Sequence, residues 1–354
     1  MIKIINPARD NIFMQLTNYY NPAEIIAFDI ETTGFAAETT QLYLIGVASY
    51  SNNKWIITQL FNDDGKSEKQ IIECFFAMLK GSKYLFNYNG DGFDIPYITK
   101  KINQYTMDYK FDECESIDLY KHIKPFKSLL HLDNLKQKSI ERYLGLNRLD
   151  KYSGGDLIKV YSDYLKNGSD IGKKLVLQHN YEDLEGLLCC SSLLSYEKFK
   201  LGCFSVKKMS VNNHKLVFHI NIEYPFPRRI SLGKNDIIIT GYQNEVSISV
   251  PILDEELKFF FDNYKDYYYL PIEDMAVHKS VASFVDKNYR VAAKKETCYQ
   301  KKYGHFITQL DGGILSGYKR NYRDKETYIE LVDSFLQDIS MINAYARYIV
   351  SKCI

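Results

Sequence analysis

The chain has 354 residues, 45% hydrophobic and 25% charged, and its 45 basic and 44 acidic side chains leave a net charge of +1. That balance builds a substantial core, and it excludes both gross disorder and a polycation that would hold nucleic acid through bulk charge. Seven cysteines at irregular spacing without a C-x-x-C pair exclude a zinc ribbon and a disulfide framework, and no window approaches the roughly 20 apolar residues of a membrane span.

In chain order, residues 1–7 lead into no long apolar run, so a secretory signal is not expected and a cytoplasmic location is. Residues 25–30 read as a strand, and 42–50 and 54–61 as two more joined by a turn at Ser51-Asn52-Asn53. Residues 68–79 are amphipathic, with Ile71, Ile72, Phe75, Phe76 and Leu79 on one face of a helix. Residues 84–87 form a short buried strand, and a helix opens at Asp94 and runs to about Ile102, with Pro96 tolerated in its first turn. Helices follow over 133–143, 155–164 and 172–199. This is an α/β pattern, and the short turn between the second and third strands predicts a mixed sheet with an antiparallel edge. After about residue 203 the texture turns to short strands, over 215–224, 229–232, 236–242 and 245–250, with Pro225-Phe226-Pro227 breaking the first from the second. Residues 254–261 and 273–285 read as helices. A boundary near 201–212 divides the chain into a domain over 1–204 and a smaller, β-rich α+β domain over 205–354.

Asp29 and Glu31 lie two apart at the end of the first strand, so they point to the same side. Two carboxylates on one side repel each other unless a cation sits between them, and hard oxygen ligands suit Mg²⁺ or Mn²⁺. A glycine-rich turn, Asn89-Gly90-Asp91-Gly92, then delivers Asp94 to a helix start, where an aspartate is also a common N-cap. His179 and Asp183 are four apart and share one helical face. Asp118 is a weaker addition.

F-D-x-E-T-T-G, N-x-N-G-x-x-F-D-x-P and H-N-x-x-D, in that order, resemble the three exonuclease motifs of the DEDD superfamily, and of its YprB-like branch in particular. The resemblance covers about residues 20–200 and implies a ribonuclease-H-like mixed sheet flanked by helices. It also implies 3′→5′ exonuclease activity on the end of a single-stranded DNA or RNA, with two Mg²⁺ or Mn²⁺ ions held by Asp29, Glu31, Asp94 and Asp183. On this pattern Asp29 bridges the ions, Glu31 and Asp183 complete the nucleophile side, and Asp94 supports the other through water. The third motif of the superfamily carries a His five before its Asp or a Tyr four before it; this chain has Gln178 and His179 there, so it keeps the tyrosine spacing with a histidine. His179 could take the water's proton. Thr32, Thr33, Asn89 and Phe93 would line the terminal-nucleotide pocket. Alternatives are an endonuclease on the same metal site and a non-catalytic nucleic-acid-binding protein.

In the second domain, eleven Lys and Arg against four acids between His278 and Lys325 give +7, interleaved with Tyr289, Tyr299, Tyr303, Phe306, Tyr318 and Tyr322. Lys294, Lys295, Lys301 and Lys302 are the candidate phosphate contacts on a surface suited to a single strand. The opposing reading turns the aromatics into the core. No membrane partner is expected.

Overall fold

The structure is a computed structural model that describes every residue of the chain except Gly312. It divides into one unit of Met1–Glu197 with Phe226–Arg228, and another of Lys198–Pro225 with Arg229–Ile354.

The first unit is built on six strands: β1 (Ile2–Pro7), β2 (Ile25–Thr32), β3 (Leu42–Ser51), β4 (Lys54–Phe61), β5 (Tyr84–Asn87) and β6 (Glu115–Asp118). Their order is β1-β4-β3-β2-β5-β6, antiparallel from β1 to β2 and parallel across β2, β5 and β6. Strand β2 is therefore central. Eight helices accompany the sheet: α1 (Leu16–Tyr19), α2 (Glu68–Leu79), α3 (Asp94–Gln104), α4 (Leu119–Ile123), α5 (Gln137–Leu144), α6 (Gly154–Asn167), α7 (Asp170–Cys190) and α8 (Leu194–Lys200).

Period-two alternation along β2 decides which face holds which chemistry. Ile26, Phe28 and Ile30 enter a core with Ile71, Ile72 and Phe75 of α2 and Ile98 and Ile102 of α3. Asp29 and Glu31 are thereby sent to the opposite face, where α7 packs: Asn180 reaches Asp29 and His179 reaches Glu31. Tyr43, Leu44 and Phe61 build that side's core with Leu157, Tyr161 and Val176.

The helix expected over 172–199 is interrupted at residues 191–193. The hydroxyls of Ser191 and Ser192 donate back to the carbonyls of Leu188 and Cys189 at 2.6 and 2.9 Å, an alternative to the helical ladder that serine favours. Strand β1, absent from the sequence reading, pairs with β4 at the sheet's edge, where its side chains are mostly exposed and carry little hydrophobic pattern.

The second unit is antiparallel. Its strands β7 (Phe204–Asn212), β8 (Lys215–Lys234), β9 (Ile237–Phe260), β13 (Tyr299–Gln309) and β14 (Thr327–Glu330) form one sheet in the order β14-β13-β9-β8-β7. A smaller sheet runs β11-β10-β12, from β10 (Tyr267–Leu270), β11 (Met275–His278) and β12 (Val291–Ala292). Helices α9 (Asp333–Gln337) and α10 (Ile339–Cys353) end the chain. Four expectations are corrected here. Pro225-Phe226-Pro227 does not break β8, because proline removes a ladder donor without forbidding extended backbone. Residues 236–242 and 245–250 are parts of one strand. Residues 254–260 are strand, not helix: Asp254, Glu255 and Glu256 face His305, Gly304 and Tyr303 of β13. His305 pairs with Asp254, Lys301 reaches Glu256 at 3.9 Å, and Arg320 pairs with Glu255 at 2.8 Å. Tertiary charge pairing there overrides local helix propensity. Residues 273–285 hold β11 and a short 3-10 turn at Ala282–Phe284 instead of a helix, and Asp274 turns the chain at φ 52°. Among the described residues, no helix is long and apolar enough to cross a membrane.

Candidate functional site

Three elements converge on one acidic pocket. Central β2 supplies Asp29 and Glu31, the start of α3 supplies Asp94, and α7 supplies His179 and Asp183. The turn before α3 is built by its asparagines. The Asn87 carboxamide oxygen accepts the Gly90 N–H at 2.8 Å, and its nitrogen donates to the Ser116 hydroxyl at 2.8 Å. A Cβ on Gly90 would lie 2.6 Å from that same oxygen, so the turn needs glycine there. Asp94 is the first residue of α3 and not its cap; one of its oxygens accepts the Ile30 N–H at 3.2 Å, which ties α3 to β2 between the two strand carboxylates.

Helix α7 lies close across the sheet because Gly46 of β3 has no side chain: a Cβ there would stand 2.2 Å from the Asn180 carboxamide oxygen and 2.6 Å from Leu184. Asn180 is fully buried, donates to Asp29 at 2.9 Å, and is itself held by Gln59 at 3.1 Å. One step away on the helix, His179 Nε2 lies 3.0 Å from Asp183 Oδ2 and 3.6 Å from Glu31 Oε1. Gln178 points elsewhere and donates to Glu182 at 2.7 Å. Of the two residues at the motif's ambiguous positions, His179 is the one that faces the acids.

The charges in this pocket are poorly balanced. Burial, followed by the charge of Asp183, pushes the carboxyls of Asp29 and Glu31 well above the ordinary range. Burial raises Asp94 to about 7 against the pull of its backbone hydrogen bonds. Asp183 differs: despite burial, the hydrogen bond and charge of His179, with Arg148 beside it, hold its carboxyl below the usual value. Burial works against the His179 imidazolium, yet Asp183 and Asp150 together outweigh it and raise its pKa. Glu31, His179 and Asp183 each offer a ligand atom within 4.8 Å of one another. Hard carboxylate oxygens with one imidazole, repelling each other out of water, are a donor set that fits Mg²⁺ or Mn²⁺.

Four neighbours were not legible in sequence. Asp150 Oδ2 sits 2.7 Å from His179 Nδ1 and 3.0 Å from Lys138 Nζ. Arg148 pairs with both Asp183 and Glu141. Both residues lie on the connection between α5 and α6, which has no periodicity to read; Glu182 fixes it to α7 by accepting the N–H groups of Leu149 and Asp150 at 3.1 and 2.9 Å. Asn180 stood inside the quoted motif without a role. Phe35 is 89% exposed and meets Phe93, the residue that precedes Asp94, edge-on at 5.8 Å.

The other expected site residues fall as follows. Thr32 ends β2 and Thr33 follows it; the Thr32 hydroxyl donates to the Gly34 carbonyl and Thr33 exchanges two 2.8 Å bonds with Gln41. Asn89 is exposed, at φ 58°, and its N–H donates to Asp118 at 2.7 Å. Asp118 caps α4 and braces this turn. In the second unit, Lys301 pairs with Asp274 at 2.9 Å and Lys302 with Glu330 at 2.8 Å, while Lys294 and Lys295 are exposed. Tyr299 and Phe306 are buried.

Residues 26–190, from β2 to the end of α7, match the family model of the RNase H superfamily. Together with the mixed sheet flanked by helices, this makes the stretch an RNase H-like domain of α/β class, separate from the antiparallel β-rich region that follows. No curated protein matches the chain. Among solved structures, the family B DNA polymerase of the hyperthermophilic archaeon Pyrobaculum calidifontis is similar at 14% identity and a TM-score of 0.40. That likeness covers 50% of this chain and 25% of the polymerase. A nuclease in its apo form is similar at 12% identity and a TM-score of 0.34, over 53% of this chain and 78% of the nuclease.

Proposed function

We propose that the chain is a metal-dependent nuclease that removes nucleotides from the 3′ end of single-stranded DNA or RNA. One observation carries this reading: acids from three separate elements meet in a single buried pocket, where burial first and neighbouring charge second raise Asp29, Glu31 and Asp94, and a histidine on the same helix as Asp183 is turned toward them. Asp29, Glu31, Asp94 and Asp183 would hold two Mg²⁺ or Mn²⁺ ions. Such ions, when bound, acidify water and offset the charge of the phosphodiester.

The chain's own groups do the rest. Asn180 fixes the orientation of Asp29, and the Ile30 N–H fixes that of Asp94. His179 Nδ1 is committed to Asp150, so proton exchange with the attacking water falls to Nε2. Hydrolysis adds the water's oxygen to phosphorus and releases the 3′-oxygen of the preceding nucleotide, which takes up a proton. Phe35 and Phe93 offer ring surfaces for a terminal base, with Thr32, Thr33 and Asn89 as polar neighbours. Lys294 and Lys295, exposed on the second unit, would offer further phosphate contacts. The 3′→5′ direction is supported by the motif resemblance.

Digestion of single-stranded DNA and RNA, 5′-labelled when linear and internally labelled when circular, with Mn²⁺ or with chelator, tests the reading. A ladder that shortens from the 3′ end of linear strands, requires metal and disappears in Asp29→Asn supports it. Cutting of circles, or full activity in Asp29→Asn, overturns it.

A further inference from the structure

An open cleft of about 740 Å³ lies on the RNase H-like unit beside Asn89, lined by Tyr88, Tyr120, Lys124, Lys127 and Lys136. Asp133 is the single acid on its wall, so three lysines less one aspartate leave +2. All three lysines are exposed, and among the described residues none of them forms an ion pair. Lysines that merely solvate a fold are commonly paired or scattered; here three line one cleft with two aromatic rings, and only Asp133 stands against them. The rings are fixed in place. The Tyr88 hydroxyl donates to the Leu135 carbonyl, Tyr88 meets Tyr120 edge-on at 6.2 Å, and Lys124 Nζ lies 5.9 Å above the Tyr120 ring.

Two residues of the cleft wall are tied to the elements that carry the acids. Asn89 belongs to the turn that delivers Asp94. Gln137, also on the cleft wall, donates to the backbone carbonyl of Asp183 at 2.7 Å. A polyanion approaching Asp29, Glu31, Asp94 and Asp183 is repelled by them. A cleft that carries unpaired lysines on the same unit as those acids supplies local attraction that a net charge of +1 cannot, since screening limits bulk charge to about 8 Å at physiological salt.

We propose that this cleft is the path by which single-stranded nucleic acid reaches the carboxylates, with backbone phosphates on Lys124, Lys127 and Lys136 and a base against Tyr88 or Tyr120. The assignment rests on the nuclease reading for what lies at the end of the path, but it is testable apart from it. Lysine contacts to phosphate give affinity without sequence preference, and ring stacking tolerates any base. The strand class bound here is therefore single-stranded and sequence-indifferent.

The test uses the full chain and the triple variant Lys124→Gln/Lys127→Gln/Lys136→Gln. Binding of a fluorescein-labelled oligothymidylate and of the matching oligouridylate is followed by anisotropy in Ca²⁺ across a salt series. Hydrolysis of the p-nitrophenyl ester of thymidine 5′-monophosphate, too small to use the cleft, is measured in parallel. The variant is expected to bind the oligonucleotides at least about tenfold more weakly, and its salt slope should fall by about 2, from three lysines at roughly 0.7 each. Ester hydrolysis should be unchanged, and Tyr120→Ser should weaken binding by about tenfold without altering the slope. Unchanged affinity and slope in the triple variant would overturn the assignment. So would equal displacement of the oligonucleotide by polyglutamate, which would make the cleft a general site for acidic chains. If the native chain fails to hydrolyse the ester, the nuclease reading fails, while the binding comparison still decides the cleft.

Discussion

His179 is held between two carboxylates, Asp150 on Nδ1 and Asp183 on Nε2, and that geometry sorts their roles. Asp150 lies away from the ligand cluster and acts through the ring, fixing which nitrogen faces the pocket. Replacing it with Asn removes the anionic partner while keeping the shape. Asp150→Asn is expected to lower kcat about 10- to 100-fold with KM little changed; an unchanged kcat would show that the contact only packs the loop. Titration gives a second expectation. Asp94 has a folded pKa of about 7, above the ordinary carboxylate value, so its contribution to stability is fully present in acid and lost as pH rises through about 7. Asp29 and Glu31 are shifted in the same direction. Metal-free protein should melt at progressively lower temperature between about pH 5 and 8, and Asp94→Asn should flatten that decline. A melting temperature that rises over this range would contradict the charge imbalance. The residues bearing these charges were legible because each sits in a patterned segment: Asp29 and Glu31 on an alternating strand, His179 and Asp183 at helical spacing. Asp150 and Arg148 were not, since an irregular loop gives no rule for where a side chain lands.

At the scale of elements, the pocket depends on how closely α7 crosses β3 and how firmly α3 is held to the sheet. Gly46→Ala would drive a methyl into Asn180 and Leu184. Overpacking of this kind costs about 1–3 kcal/mol, and because Asn180 orients Asp29, activity should fall further than stability alone explains. Equal activity at full occupancy of the folded state would remove Asn180 from the proposed machinery. Helix α3 is clamped to α2 by a buried pair, Lys101 Nζ to Glu68 Oε1 at 3.1 Å, and Glu68 also accepts the Leu42 N–H at 2.6 Å. Lys101→Met leaves Glu68 buried without its cation. A loss of about 3–5 kcal/mol is expected in denaturant unfolding; a loss below about 1 kcal/mol would show that the pair is not holding the helices together. Strands β2 to β4 and helices α2 and α3 were readable because alternation and helical spacing each ran long enough to register, whereas exposed β1 and four-residue β6 offered too little pattern. The second unit's elements were not: β9 carries the run Asp254-Glu255-Glu256, which looks helical until His305, Lys301 and Arg320 of other segments are set against it.

For the molecule as a whole, part of the surplus of basic and aromatic residues near the C-terminus is spent inside the second unit. Lys301 and Tyr299 both meet Asp274, Lys302 meets Glu330, and Arg320 meets Glu255. Net charge counted along a sequence cannot distinguish such pairs from free cations, because partners lie on other strands. Lys301→Gln with Lys302→Gln should therefore lower the melting temperature, whereas Lys294→Gln with Lys295→Gln should leave it unchanged and reduce the salt slope of oligonucleotide binding by about 1.4. An unaltered slope in the second pair would confine strand binding to the RNase H-like unit.

Calorimetric titration of Mn²⁺ into the metal-free protein, native and Asp29→Asn, reaches the shared premise of these arguments, that acids from β2, α3 and α7 form one cation site. Saturable binding by the native chain, with a matching rise in melting temperature and affinity at least about tenfold weaker in Asp29→Asn, is the expected result. Equal Mn²⁺ affinity in the two proteins, or no saturable binding in either, would contradict it.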